Sequence, residues 1–237
     1  MKLLPDWRLY LVTDRSLARG RSIAWLVEAA VRGGVTAVQL REKSCPTSDF
    51  VQLGRELKKL LGGACFSLPR VPLIVNDRVD LALEIGADGV HIGQHDMDPE
   101  RARRLLGPDA IIGLSIETVE QARAAVSLDV DYLGVGPVFA TATKMDAAPP
   151  LGLAALAQVR AISRHRVVAI GGIGLENARQ AIHSGADGVA IVSAICAAGD
   201  PERAARDLRQ SIDAALRTRP PSSAPSQAPT ACPATNS

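Results

Sequence analysis

A chain of 237 residues with 47% hydrophobic side chains can bury a core large enough for one barrel-sized domain or two small ones. Its 27 basic and 25 acidic side chains are mixed along the sequence and leave a formal charge of +2, and its few aromatics are not interleaved with basic clusters, so nucleic acid is not an expected partner. No apolar run reaches the roughly 18 residues that span a bilayer, Pro5 and Asp6 interrupt the apolar start, and Cys45, Cys65, Cys196 and Cys232 form no CxxC pair; a cytoplasmic chain with reduced thiols and no membrane contact is expected.

Short runs rich in Val, Ile and Leu alternate with longer stretches of period 3.6, the signature of βαβ units on a parallel sheet. In chain order, strands are predicted at 8–13, 37–41, 73–76, 89–93, 111–115, 132–136, 167–170 and 188–192. Helices are predicted at 22–32, 47–61, 78–85, 99–106, 118–126, 151–162, 175–183 and 201–217. Asp98-Pro99 and Asp200-Pro201 read as an N-cap followed by an N1 proline, while Gly33-Gly34, Gly86 and Gly185 stand where a helix should stop. GADGVHIGQ (86–94) recurs as GADGVAIVS (185–193), an offset of 99 residues, or about four βα units. The expected fold is therefore α/β, a single parallel (β/α)8 TIM barrel over residues 1–218, with residues 219–237 as a Pro/Ser/Ala-rich disordered tail that holds five of the fifteen prolines. A doubly wound open sheet shares the local patterns but normally has fewer strands.

A parallel barrel gathers its chemistry at the C-terminal ends of the strands. Four segments predicted there carry phosphate- or metal-binding groups: QLREK (39–43), ND (76–77), GQHD (93–96) and TATK (141–144). Only five of the basic residues are lysines, and two of them, Lys43 and Lys144, fall at this rim; Lys58 and Lys59 belong to a helical surface pattern and read as solvated. On strand 2, Gln39, Arg41 and Lys43 share the inward face. Such a row needs an anion, either a ligand or an internal partner such as Glu42 or a neighbouring Asp. Asp77 and Asp96, at the ends of adjacent strands, can share Mg²⁺, a hard cation that completes its shell from water and substrate phosphate; taken singly, each Asp also suits a helix N-cap. Asn76 would orient a carboxylate or touch substrate.

His91 and His95 lie about 13 Å apart along a strand, which argues against joint ligation. His91 is expected inside the barrel as a hydrogen-bonded residue, and His95 at the mouth. Gly171-Gly172 and Val192-Ser193 close strands 7 and 8, the usual phosphate corner of this fold. A second, more highly charged phosphate across the mouth then implies two small-molecule phosphate substrates. Ser115 reads as a hydrogen-bonding group rather than a nucleophile, because the sequence offers it no evident positioned His.

In order and spacing, QLREK, NDR, VHIGQHD, GLS, GPVFATATK, AIGGI and VSA make the chain resemble the thiamine-phosphate synthase family over residues 8–217. The resemblance implies a transferase that joins a pyrimidine-methyl diphosphate to a thiazole-ethyl phosphate and releases pyrophosphate. It implies that Gln39, Leu40, Arg41, Glu42, Lys43, Asn76, Ser115 and Lys144 hold the pyrimidine diphosphate, with Arg41, Lys43, Ser115 and Lys144 catalytic. Asp77 and Asp96 would bind Mg²⁺, and Thr141, Thr143, Gly172, Val192 and Ser193 the thiazole phosphate. One departure is Ala140, where the family often has Pro. Two other readings compete: a thiazole tautomerase-like isomerase on the same barrel, and a non-catalytic phosphate-ligand sensor. A homo-oligomer is compatible with the sequence, and residues 141–150 are long enough for a lid.

Overall fold

Eight parallel strands pair in chain order, and the last returns to the first, closing a barrel. The chain is described here from a computed structural model that covers residues 5–63, 70–141 and 149–219. The strands are β1 (Leu9–Val12), β2 (Ala37–Leu40), β3 (Leu73–Asn76), β4 (Gly89–Ile92), β5 (Ile111–Ile116), β6 (Tyr132–Val135), β7 (Arg166–Ile170) and β8 (Gly188–Ile191). Around them run α1 (Ile23–Arg32), α2 (Thr47–Leu61), α3 (Val79–Ile85), α4 (Pro99–Leu106), α5 (Val119–Ala124), α6 (Gly152–Ile162), α7 (Ala178–His183), the single turn α8 (Ser193–Cys196) and α9 (Pro201–Thr218). Among the described residues no helix is long and apolar enough to cross a membrane.

Period-2 alternation divides the strand residues between two cores. Leu11, Val38, Leu40, Val75, Val90, Ile92, Leu133 and Val135 face outward and pack against the helices. Tyr10, Val12, Ala37, Ile74, Tyr132, Val168 and Ala190 fill the barrel interior, with Trp7 beneath them. Helix punctuation follows the sequence: the carboxylates of Asp98 and Asp200 accept from the amides of Arg101 and Arg203, each ahead of a proline. Two features fall outside the periodic patterns, a 3₁₀ turn at Arg15–Leu17 and α8. In addition, α7 starts at Ala178 rather than at 175, because Asn177 holds the preceding loop: its Oδ1 accepts from Gly174 N at 2.9 Å and its Nδ2 donates to Gly172 O at 2.8 Å.

The internal repeat has a structural reason at the N-terminal rim. Asp88 and Asp187 each precede an even-numbered strand and accept an amide at the start of the strand before it, Leu73 N at 2.9 Å and Val167 N at 2.9 Å. Asp131 does the same for Ile112 N at 2.8 Å, and the Thr36 hydroxyl for Leu9 N at 3.1 Å. One side-chain acceptor thus recurs every second strand around the barrel. Helix cations anchor the carboxylates: Lys58 to Asp88 at 2.7 Å, Arg103 to Asp131 at 3.0 Å and Arg160 to Asp187 at 3.1 Å. Lys58, expected to be solvated, is therefore a structural partner. The expected tail lies outside the described residues from 220 onward.

Candidate active site

A cavity of about 360 Å³ opens at the C-terminal mouth of the barrel. Gln39, Arg41, Lys43, Asn76, Asp77, Asp96, Ser115, Thr141, Gly172, Val192 and Ser193 all line it. Thr143 and Lys144 lie outside the described residues.

Strand 2 splits its named residues between two faces. Gln39 is buried at the cavity floor, and its Nε2 donates to the Tyr10 hydroxyl at 2.9 Å. Arg41 lines the wall, its amide donating to Thr13 Oγ1 at 3.0 Å and its Nη1 lying 3.4 Å from Asp14 Oδ2. Leu40 and Glu42 alternate to the other side. Leu40 packs in the outer core, and Glu42 pairs with Arg15 Nε at 2.9 Å, so neither side chain lines the cavity. The internal partner of Arg41 is thus Asp14 rather than Glu42. A neighbouring Asp was one of the two partners expected, though not named as Asp14; Asp14 follows β1 much as Asp77 follows β3, and it also caps the 3₁₀ turn through Ser16 N at 3.0 Å.

At the end of β3 the backbone turns sharply. Asp77 adopts φ 61°, a left-handed conformation that Asp tolerates better than most residues, and its amide donates to His91 O at 2.8 Å. Asp96 is fixed from the next strand, its Oδ2 accepting from Gly93 N at 2.7 Å. A Cβ on residue 93 would stand 3.0 Å from that oxygen, so Gly permits the approach. The two carboxyls meet. Burial, then the Asp96 charge and a hydrogen bond to Asp96, push the Asp77 carboxyl up to about 6 against opposing pulls from Asn76 and Arg41. Two carboxyls held this close oppose each other's ionisation, a cost that a bound cation would offset. Among the described residues no three His, Cys, Asp or Glu side chains converge as a protein-only metal cage. Two carboxylates with open positions suit an ion such as Mg²⁺ that also takes water and phosphate oxygens.

The structure corrects the premise behind the reading of Ser115, since a His does face it. His91 Nε2 lies 2.9 Å from Ser115 Oγ, and His91 Nδ1 lies 2.9 Å from the Tyr132 hydroxyl. The pairing joins β4 to β5, which single-strand spacing does not display. Glycines make the room: a Cβ on Gly134 would come within 2.7 Å of the His91 ring, and one on Gly113 within 2.4 Å of the Tyr132 hydroxyl. Burial draws the His91 imidazole down to about 4, with the Asp96 charge opposing. A neutral imidazole backed by a phenol, rather than by a carboxylate, is a hydrogen-bonding unit and not a nucleophile's base. His95 and Gln94 stand at the mouth, Gln94 Nε2 donating to Ser115 O at 2.6 Å.

At the far side, Gly172 has φ 63°, and a Cβ there would meet Ala140 O at 2.4 Å. Ser193 opens α8 beside it, and Arg21 fixes the end of that turn by donating to Cys196 O at 2.9 Å and Ala198 O at 2.8 Å. Cations and paired carboxylates on one wall thus face a glycine corner on the other.

The family described as thiamine monophosphate synthase matches residues 9–195. The thiamine-phosphate synthase of Albidiferax ferrireducens is 55% identical over 212 residues, covering 89% of this chain and 94% of that protein. That of Chloroflexus aurantiacus is 51% identical over 206 residues, covering 87% and 93%. Among solved structures, the thiamine phosphate pyrophosphorylase of Pyrococcus furiosus superposes with a TM-score of 0.80 at 37% identity, covering 89% of this chain and 98% of that one.

Proposed function

Because the chain belongs to the thiamine monophosphate synthase family, we propose that its barrel mouth holds two phosphate substrates side by side, one on the cation wall and one in the glycine corner. The chain is a transferase that condenses a pyrimidine and a thiazole phosphate. In our reading the pyrimidine carries the diphosphate and the thiazole the monophosphate. Arg41 and Lys43 take the diphosphate, and Asn76 and Ser115 hold the pyrimidine end; Thr141, Gly172, Val192 and Ser193 take the thiazole phosphate. Lys144 and Thr143, known from the sequence alone, would complete the two sites. Leu40 and Glu42 contribute packing and the position of the strand end.

An electron-rich aminopyrimidine can carry a positive methylene carbon, so the carbon–oxygen bond to diphosphate breaks without a protein nucleophile. The leaving group then needs charge neutralisation above all. Arg41 and Lys43 supply fixed positive charge at the wall, with Arg41 steadied by Asp14. Asp77 and Asp96 would hold Mg²⁺, which when bound neutralises further charge on the departing diphosphate. The glycine corner holds the second substrate so that its ring nitrogen attacks the methylene carbon, a matter of orientation. Released diphosphate takes both electrons of the broken bond, and the new carbon–nitrogen bond leaves the thiazole ring cationic. No step removes a proton, in keeping with a His91 imidazole that burial keeps neutral. The free thiols Cys45 and Cys196 fit a cytoplasmic setting.

The observation that carries this reading is the meeting of Asp77 with Asp96 beside Arg41 and Lys43, opposite Gly172 and Ser193. A tautomerase-like isomerase would need neither diphosphate wall nor carboxylate pair, and a sensor would release nothing. The test is pyrophosphate release by the purified chain: release that requires both substrates and Mg²⁺ is expected, and release from neither or from one alone would overturn the assignment.

A further inference from the structure

Beneath the cavity runs an unbroken buried chain of polar groups. Gln39 Nε2 donates to the Tyr10 hydroxyl at 2.9 Å, which lies 2.9 Å from the Tyr132 hydroxyl. That hydroxyl lies 2.9 Å from His91 Nδ1, and His91 Nε2 lies 2.9 Å from Ser115 Oγ. All five residues border the cavity floor, but the two phenols are almost closed to solvent, Tyr10 at 1% and Tyr132 at 0% exposure.

A chain of this kind has a direction, and hydrogen counting fixes it. Gln39 spends an N–H on Tyr10, so the Tyr10 oxygen is an acceptor there. The Tyr10 hydrogen then has the Tyr132 oxygen as its acceptor within the chain. Were the phenols reversed, a buried hydroxyl hydrogen would go unpaired, an outcome folded proteins avoid. Tyr132 must therefore give its own hydrogen to His91 Nδ1, which accepts only through a bare lone pair. The remaining hydrogen of the ring sits on Nε2 and points to Ser115. Ser115 Oγ accepts it, and its hydroxyl hydrogen is left for the cavity.

We propose that Gln39, Tyr10, Tyr132 and His91 form a one-way hydrogen-bond relay that locks His91 in the Nε2–H tautomer and so presents Ser115 to the substrate as a hydrogen-bond donor. Tyr132 and His91 are positioning residues, acting through Ser115. The relay also leaves the Gln39 carbonyl oxygen as an acceptor, so the two cavity ends have opposite character. An edge bearing both an amino N–H and a ring nitrogen, as an aminopyrimidine has, matches that pair. This last step rests on the proposed function; the direction of the relay does not. Gly113 and Gly134, whose Cβ atoms would collide with Tyr132 and His91, are the openings through which the relay passes between strands.

Two measurements test it, the first without any substrate. Long-range ¹H–¹⁵N correlation on protein with ¹⁵N-labelled histidine reads the tautomer of each of the four histidines directly, and the signal lost in His91→Asn identifies position 91. The relay requires Nε2–H at His91 in the free wild-type protein and a mixture of tautomers in Tyr132→Phe, which keeps the ring. An Nδ1–H or doubly protonated ring in the wild type would overturn the direction. The second is a double-mutant cycle on kcat/KM for the pyrimidine diphosphate. Tyr132→Phe is expected to lower it about tenfold in the wild type, the scale of one hydrogen bond, with the KM for the thiazole phosphate unchanged. In a Ser115→Ala background the same change should cost almost nothing, because the hydrogen it positions is gone. Additive losses would show Tyr132 to be merely structural and sink the relay, whereas wild-type protein that releases no pyrophosphate would sink the proposed function and leave the tautomer result standing.

Discussion

Asp77 is pulled between folding and chemistry. Its carboxyl titrates near 6 in the fold against 3.8 ordinarily. A raised folded value means that the stabilising contribution is complete below about 3.8 and is lost as pH rises through 6, so at neutral pH the metal-free pair is a cost to the fold. Asp77→Asn should therefore raise the metal-free Tm at pH 7.5 by about 2 °C, a small value because the mouth is open to solvent. The gain should vanish near pH 4. The same variant should reduce pyrophosphate release by about 10², the scale of losing one fixed electrostatic contact. Calorimetry at the two pH values and turnover at limiting Mg²⁺ check both halves; equal Tm at both pH values would show that the pair is not strained. In the wild type, the apparent Mg²⁺ requirement should steepen as pH falls below about 6, where Asp77 takes up its proton.

At the scale of elements, the two rims of the barrel have separate duties. The N-terminal rim is structural: Asp187 satisfies Val167 N and pairs with Arg160 and Arg166. Asp187→Ala should cost about 2 kcal/mol, a buried amide left unpaired. That is roughly a 5 °C fall in Tm for a domain of this size, with kcat unchanged. A fall in kcat at temperatures well below Tm would contradict this separation. The C-terminal rim carries the proposed site, and there Gly172 admits no side chain because of its positive φ and the nearby Ala140 carbonyl. Gly172→Ala should raise the KM for the thiazole phosphate about tenfold or more, since strain of 1–2 kcal/mol must be relieved by moving the corner. The KM for the pyrimidine diphosphate should stay put, and a rise in both would refute the two-site division.

Elements of this kind were well marked in the sequence. Hydrophobic period, proline at N1 and glycine at helix ends placed all eight strands and the helices between them, because each is a local signal. The short α8 and the delayed start of α7 escaped, since one turn has no periodicity and Asn177 acts through a loop. At the site, alternation put Gln39, Arg41 and Lys43 on one wall and, followed strictly, would have turned Leu40 and Glu42 away. The contacts of His91 with Ser115 and of Arg41 with Asp14 cross between strands. They depend on barrel register and on glycine openings, which no single segment of sequence contains.

For the whole molecule, closure turns strand ends scattered over more than 100 residues into one mouth with two unlike walls. The central claim is that the walls divide the two substrates, with diphosphate and Mg²⁺ at β2–β4 and monophosphate at β7–β8. The measurement that tests it most directly is a crystal structure with thiamine phosphate, pyrophosphate and Mg²⁺ bound together. The account predicts the metal on Asp77 and Asp96, pyrophosphate against Arg41 and Lys43, and the product's phosphate at Gly172 and Ser193. Pyrophosphate in the glycine corner, or a metal that touches neither carboxylate, would contradict it.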